Sequence, residues 1–422
     1  MAVLAVVSGE RGLAEQVSEL VARFGDEVKW FPSPSALGTE AVSLILARTD
    51  LDGVTELITR GTAPVIALGD VNLRAAYAAG VVYAMPEPYH PRELLSQIHA
   101  TLARHRRVVC LGGGAGLSTI LLGLKRLRGT HLTAVVNVCD DGGSSGRLRE
   151  ELGILPPGDI RRSLVALSSA PRLMNDLMEY RFAGGAGLKD HSLGNLLVAA
   201  LDRMTGSFSD GVRAMGDLLN IQGIVLPASD GLGQLCAERD EGGVVHGECR
   251  VGGAREARAR RIVRIWVEPR IAVHPSVESA ILAADLVTLG PGDLFTSVLV
   301  NLAVEGMTEA LRATRARVAY VCNLMTKPGE TADYAASDHV RAIVEALGPG
   351  VLHHAFLSRP DFELPGAAEY AAQGQHPVTA DVSVVHDLGV GASMHDLASR
   401  SYFARHDPEL LAEALRAYVA GA

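Results

Sequence analysis

Nowhere in this sequence do about 20 apolar residues follow one another, the length a membrane-spanning helix requires, so no membrane insertion is expected. An excess of positive charge is also missing. The formal net charge of −9 argues against broad attraction to nucleic acid or acidic lipid and leaves small molecules as the favoured partners. The basic patch Arg104 to Arg107 is too small for a nucleic-acid footprint and reads as a solvated linker. Cysteines are few and unpatterned. Cys110, Cys139, Cys236, Cys249 and Cys322 form an odd set without CxxC spacing, which fits a reduced, cytoplasmic chain with buried thiols rather than a disulfide scaffold. The opening "MAVLAVVSGERG" has neither a basic leader nor an apolar run long enough for a signal core, so secretion is not expected. Aromatic residues reach only 5%, whereas hydrophobic residues make up 48% and glycines number 45. That balance describes an α/β protein of aliphatic strands and tight turns.

What is present is an alternation of strands and helices over a length that exceeds one core and predicts two domains. "AVLAVV" (2–7) reads as a buried strand, and "LAEQVSELVARFG" repeats apolar residues at helical spacing. Strand-like "VSLILA" and "PVIALG" follow. "VVYAMPEPYHPRELLSQIHATLARHRR" then supplies a short strand, a proline-rich turn and an amphipathic helix. The pattern predicts a first domain over 1–106, a flavodoxin-like doubly wound α/β module. It resembles a response-regulator receiver domain, with "PEPYHPRELLSQI" similar to that family's last turn and helix. The receiver chemistry is missing. Where the resemblance implies an acidic pair for magnesium the sequence reads Ser8-Gly9-Glu10, the phosphate-accepting Asp falls near Ala47-Arg48, the hydroxyl near Gly69, and the lysine becomes Glu87. Phosphorylation is therefore not expected. Docking, dimerisation or a purely structural role is.

The second domain, 107–422, opens with a strand, a glycine turn and a helix, "VVCLGGGAGLSTILLGLKRL". Further strands are predicted in "LTAVVNVC", "GIVLP", "RIVRIWVEP", "LVTLGPG", "RVAYVCNLM", "VLHHAFL" and "HPVTADV". Helices are predicted in "SLGNLLVAALDRM", "DGVRAMGDLL", "VESAILAA", "TSVLVNLAVEGMTEALRAT" and "DPELLAEALRAYV". The stretch "QLCAERDEGGVVHGECRVGG" alternates about a Gly-Gly turn and reads as a β-hairpin inserted on the main sheet.

The turn "LGGGAGLS" lets the backbone approach an anion while free N–H groups and the helix dipole attract it. Its spacing is neither GxGxxG nor a Walker loop. A dinucleotide site would place an acid about 20 residues onward for a ribose, and Asp140 fits that position loosely. The loop "CDDGGSSGR" offers more than one carboxylate, however. Asp140, Asp141, Ser144, Ser145 and Arg147 could hold phosphate oxygens while a carboxylate meets a hydroxyl or a divalent cation; alternatively, Ser144 or Ser145 caps the helix at "GRLREEL". His191 is a candidate general base or a cap or packed surface residue. Asp159 and Glu330 are candidate metal ligands or helix caps.

"GGGAGLSTILLGLK", "DDGGSSGRLREELGILPPGDIRRSLVAL", "HSLGNLL", "LGPGDLFTS" and "CNLMTKPGET" together resemble the YvcK/CofD-like family, in its YvcK branch, from about Val108 to the C-terminus. The resemblance implies a Rossmann-like doubly wound parallel sheet that binds a nucleotide sugar, UDP-N-acetylglucosamine foremost. It also implies a regulatory role linking gluconeogenic carbon flow to envelope synthesis and cell shape, with no reaction established. It places Gly112, Gly113, Gly114, Gly116, Leu117 and Ser118 at the diphosphate, with Asp140, Asp141, Gly142, Gly143, Ser144, Ser145 and Arg147 beside them. Asn195 and Asn323 face the same cleft, and Tyr370 and Arg405 contact the uridine nucleotide. Ala115 stands where threonine is usual, Lys327 where glutamine is, and Asp293 and Phe295 where serine and tyrosine are common.

The expected protein is thus a UDP-sugar-binding regulator that requires no cofactor, with Mg2+ on Asp140 or Asp141 as an optional companion of the nucleotide, an unidentified protein partner and a plausible homodimer. The alternative is a CofD-like phospholactyl transferase using a nucleoside diphosphate donor and a divalent metal. That branch carries a different loop, with aromatic and histidine residues after the aspartates. An NAD-dependent oxidoreductase is disfavoured by the failed fingerprint.

Overall fold

The structure is a computed structural model and describes residues 2–240, 242–253, 261–359, 367–400 and 404–420. Its first five strands are β1 (Val3–Ser8), β2 (Glu27–Phe31), β3 (Leu44–Arg48), β4 (Val65–Leu68) and β5 (Tyr83–Met85). They pair in parallel in the order β2-β1-β3-β4-β5, the flavodoxin-like order. The inner strands are runs of Val, Ile, Leu and Ala buried on both faces, as a helix-covered parallel sheet demands. β2, "EVKWF", escapes apolar-run reading because it is a half-buried edge strand. At the strand ends where a receiver would be phosphorylated, Arg48 pairs with Glu87 at 2.9 Å, and Ser8 Oγ accepts from the Glu10 amide at 3.2 Å.

Beyond this sheet follow β6 (Arg106–Gly112), β7 (Thr130–Val136), β8 (Ile224–Pro227), β9 (Gln234–Arg239), β10 (Val244–His246), β11 (Ile262–Glu268), β12 (Leu286–Leu289), β13 (Arg317–Val321), β14 (His354–Ser358) and β15 (Gly391–His395). Seven of them form one parallel sheet, β15-β14-β13-β12-β6-β7-β8. Counted from β6 this is the Rossmann order 3-2-1-4-5-6 with one strand added, and it reverses direction between β6 and β12. The hydrophobic core is continuous across this sheet and its helices. No helix among the described residues is long and apolar enough to cross a membrane.

Several expectations are corrected. The hairpin exists, but β11 joins it to make a separate antiparallel sheet, β10-β9-β11, and "ECRVGG" is helical rather than strand. Glu241 in its turn lies outside the described residues. "HPVTADV" makes no ladder. Pro377 forms only an isolated bridge with Met325, and Val382–Asp387 is helical; a proline cannot donate to a ladder. The main sheet's last strand is instead β15, "GASMH", whose residues are mostly half-buried and polar enough to hide it. The long helix expected from Thr296 onward breaks into a π-helical turn, Leu294–Leu299, a short helix, Val300–Leu302, and a second helix, Met307–Ala313, entered through Gly306 at φ 90°. Glycine takes that left-handed conformation at little cost, which lets the chain turn into the second helix.

The two sheets are joined by polar contacts as well as packing. Glu93 receives Arg213 at 3.1 Å with both side chains nearly buried. Arg74 meets Glu278 at 2.9 Å, the Tyr77 hydroxyl bonds the Ser279 hydroxyl at 2.9 Å, and Ser96 Oγ bonds His131 Nε2 at 2.8 Å.

Candidate strand-end cleft

β6 ends at Gly112, and Gly113 leads into the helix Gly114–Leu124. Gly114 has φ +62° and faces open space. Gly116 is needed for a different reason. A Cβ there would lie 2.1 Å from the Pro291 carbonyl oxygen, so backbone from the β6 and β12 ends is in direct contact. The Gly114 amide is already engaged, donating to Asp159 Oδ2 at 2.6 Å, while Arg162 holds Asp159 Oδ1 at 3.1 Å. Asp159 thus clamps a neighbouring helix rather than capping its own, which starts behind Pro156. Burial and the nearby Asp140 push its pKa up. Leu117 is fully buried in the core, and the half-buried Ser118 donates its Oγ hydrogen to the Gly114 carbonyl at 3.2 Å.

A cleft of about 340 Å³ opens beside this turn, beyond the ends of β6, β12 and β13. Of the expected residues, Gly116, Asn323, Tyr370 and Arg405 line it. Asn323 Oδ1 accepts from the Gly292 amide at 3.3 Å, and the Tyr370 hydroxyl accepts from the Ala404 amide at 2.9 Å. Lys327, also in the wall, is held by Asp293 at 2.5 Å and Glu330 at 2.6 Å. Burial works to lower the Lys327 pKa, but the two carboxylates outweigh it and the net direction is up. Glu330 is in turn fixed by the amides of Phe295 (3.2 Å) and Thr296 (3.4 Å). It therefore closes the π-helical turn from across the fold.

The loop Asp140–Arg147 lies beside the Asp159 junction, with Asp140 Oδ2 close to Gly158, and its side chains are not among those that line this cleft. Asp140 Oδ1 accepts from the Gly142 amide and Asp141 Oδ1 from the Cys249 amide, each at 2.9 Å. Ser144 and Ser145 do not cap the helix Gly143–Leu152. The cap position is Gly142, with no side-chain bond, and both serines lie inside the first turn. Ser145 Oγ accepts from the Gly158 amide at 3.1 Å. Ser144 Oγ bonds His191 Nδ1 at 2.9 Å and Asn195 Nδ2 at 3.0 Å, and Arg161 Nε donates to Asn195 Oδ1 at 3.0 Å. His191 is therefore buried, not a surface residue, and burial lowers its pKa. Arg147 donates to the Lys189 carbonyl at 2.6 Å. Asn195 thus belongs to this buried network rather than to the cleft wall, and Gly143 is exposed at the first position of that helix.

Glu248 was not anticipated. Asn137 Nδ2 donates to its Oε2 at 3.4 Å. Burial, followed by the fields of Asp140, Asp159 and Glu330, holds its pKa well above the usual carboxylate value. The hairpin brings it here from 111 residues beyond Asn137, a distance that no local motif records. Hard carboxylate oxygens of this kind suit Mg2+, although Asp140 and Asp141 belong to no group of three ligand atoms drawn together among the described residues.

Other cavities among the described residues lie outside the parallel-sheet switch point. One of about 370 Å³ sits between the modules near His90 and Arg213, and one of about 860 Å³ sits on the first module beside Arg48 and Glu87. In an open α/β sheet ligands bind beyond the strand ends where the order reverses, which singles out the cleft at Gly116 and Pro291.

Fold and cleft together define a Rossmann-like α/β protein with a strand-end pocket. Residues 108–398 match the family described as 2-phospho-L-lactate transferase CofD, and the chain belongs to that family. A relative from Halalkalibacterium halodurans named gluconeogenesis factor is 42% identical over 315 residues, 74% of this chain and 96% of the relative. One of the same name from Bacillus subtilis is 39% identical over 311 residues, covering 73% and 96%. A crystal structure of a upf0052 family member from Bacillus halodurans aligns with a TM-score of 0.71 at 40% identity, covering 74% of this chain and 99% of that one.

Proposed function

We propose that the chain is a ligand-sensing regulator that binds a UDP-sugar, UDP-N-acetylglucosamine foremost, and passes its state to a protein partner. The role fits the relatives' shared name, gluconeogenesis factor, and would tie carbon flow to envelope synthesis and cell shape in the cytoplasm. The observation that carries this reading is the strand-end cleft itself, where Gly116, Asn323, Lys327, Tyr370 and Arg405 gather at the switch point. Backbone at a helix start and the Arg405 guanidinium suit a diphosphate, while Lys327 is balanced by Asp293 and Glu330, and a volume near 340 Å³ is within the range of small-molecule sites. The Asp140–Arg147 loop would then form an outer wall, reached across Asp159. If a divalent ion accompanies the nucleotide, Asp140 or Asp141 would hold it, and it would supply charge neutralisation of the diphosphate.

A second reading, phospholactyl transfer from a nucleoside diphosphate, is supported by the family's description. Asp140 and Asp141 each spend one oxygen on a backbone amide, which favours a structural wall over a dedicated metal pair. Calorimetric titration with UDP-N-acetylglucosamine, GDP and NAD, with and without Mg2+, separates the readings. Silence with the UDP-sugar and tight binding of GDP would overturn the regulator. In the same titration Arg405→Ala should weaken UDP-sugar affinity at least tenfold; unchanged affinity removes Arg405 from the site.

A further inference from the structure

We propose that Cys236, His246 and Glu268 form a zinc-class metal site on the small antiparallel sheet, apart from the cleft. Cys236 stands in β9 directly opposite His246 of β10 and Trp266 of β11. Glu268, two residues beyond Trp266, shares its face because side chains alternate along a strand. The three donors therefore converge from three adjacent strands. Cys236 Sγ lies 3.2 Å from His246 Nδ1 and 3.9 Å from Glu268 Oε2, and all three ligand atoms fall within 4.8 Å of one another. A tetrahedral ion with Zn–S of about 2.3 Å and Zn–N or Zn–O of about 2.0–2.2 Å keeps its ligand atoms roughly 3.3–3.6 Å apart. Rotation of the exposed His246 and Glu268 side chains closes that small difference.

The donor set selects the ion. A thiolate, an imidazole and a carboxylate together suit a borderline cation such as Zn2+, whereas Mg2+ and Ca2+ take oxygen ligands only. Cys236 is buried, while His246 and Glu268 are exposed, so solvent can supply the fourth ligand. Trp266 Nε1, 3.5 Å from Glu268 Oε2, steadies the carboxylate from outside the ligand set. The position also gives the ion a structural consequence. One residue past His246 the chain turns at Gly247, and the Cys249 amide then grips Asp141 at 2.9 Å. An ion on His246 would pin the hairpin segment that carries both Glu248 and this contact.

The test uses the reduced, chelator-treated full chain without nucleotide, so its result is independent of the cleft's ligand. Titration with Co2+ should produce a near-ultraviolet thiolate-to-cobalt charge-transfer band that saturates at one equivalent and is abolished by Zn2+. Cys236→Ser should eliminate the band. His246→Ala and Glu268→Gln, both at exposed positions, should weaken Co2+ affinity by about tenfold or more with an unchanged circular dichroism spectrum. Cys249→Ser, removing the exposed neighbouring thiol, should leave the band intact. Absence of a stoichiometric band means that the trio is only a thiol–imidazole hydrogen bond. A band that survives in Cys236→Ser, or affinity untouched by His246→Ala, equally overturns the site.

Discussion

Asp159 Oδ2 accepts the amide hydrogen of Gly114 at 2.6 Å, tying the start of one helix to the first turn of another 45 residues away. The bond fixes the glycine turn before any ligand arrives. Asp159→Ala should lower unfolding stability by about 1–3 kcal/mol because the half-buried amide loses a charged acceptor. Asp159→Asn should cost less than half as much, since its amide oxygen can still accept. Urea denaturation of the three proteins checks the order.

The carboxylates behind this turn predict a pH response. Glu248 has a folded pKa raised well above the ordinary 4.5, first by burial and then by Asp140 and Asp159. Between those two pKa values the folded chain keeps a proton that the unfolded chain has released, so stability falls as pH rises through the window. Glu248→Gln removes this dependence. Melting temperatures measured from about pH 5 to about pH 8 should decline less steeply for the variant, and the variant should be the more stable protein at the alkaline end.

The sequence made the repeating units of both sheets legible, because a strand buried on two faces must be written as an uninterrupted aliphatic run. "VLAVV" and "VIAL" are such runs. β2 and β15 were hidden because partly exposed edge strands carry polar residues, and "HPVTADV" misled because its β-branched residues sit in a loop after a proline. Site residues divided on the same principle. Gly116 and Asn323 lie at strand ends, where topology alone sends them to the cleft. The partners of Asp141, Ser144 and Glu248 come from segments tens of residues away, and only tertiary packing sets those pairings.

Between the modules, Glu93 and Arg213 form an ion pair at 3.1 Å with side chains 11% and 8% exposed. Removing one partner of a buried pair leaves the other charge poorly solvated. Glu93→Ala should therefore destabilise the full chain by about 2–3 kcal/mol, somewhat below the usual cost, because Arg213 keeps Asp210 at 3.0 Å. Thermal denaturation checks the size, and added susceptibility to limited proteolysis near Arg104–Arg107 would locate the opening at the junction.

The Arg48–Glu87 pair stands where a receiver needs an aspartate and a lysine. A guanidinium cannot accept a phosphoryl group as a carboxylate does, and Glu87 would repel one. Incubation with acetyl phosphate and Mg2+ should leave the mass of the intact protein unchanged. A covalent phosphate on the first module would contradict this account.

The glycine turn offers a paired test of two different demands. Gly114 has φ +62° and nothing near its missing side chain, so Gly114→Ala meets only the conformational penalty of a left-handed residue, about 1–2 kcal/mol. Gly116→Ala would set a methyl group 2.1 Å from the Pro291 carbonyl oxygen, 2.6 Å from its carbon and 3.0 Å from the Gly292 amide nitrogen. All three are backbone atoms, so no rotamer change relieves the contact. The ends of β6 and β12 must then move apart at the switch point. The expected cost is at the upper end of overpacking penalties, about 3 kcal/mol or more, and the cleft should widen. Denaturation should rank Gly116→Ala below Gly114→Ala, and the reverse order would mean that the turn, rather than the contact between strand ends, holds this part of the fold.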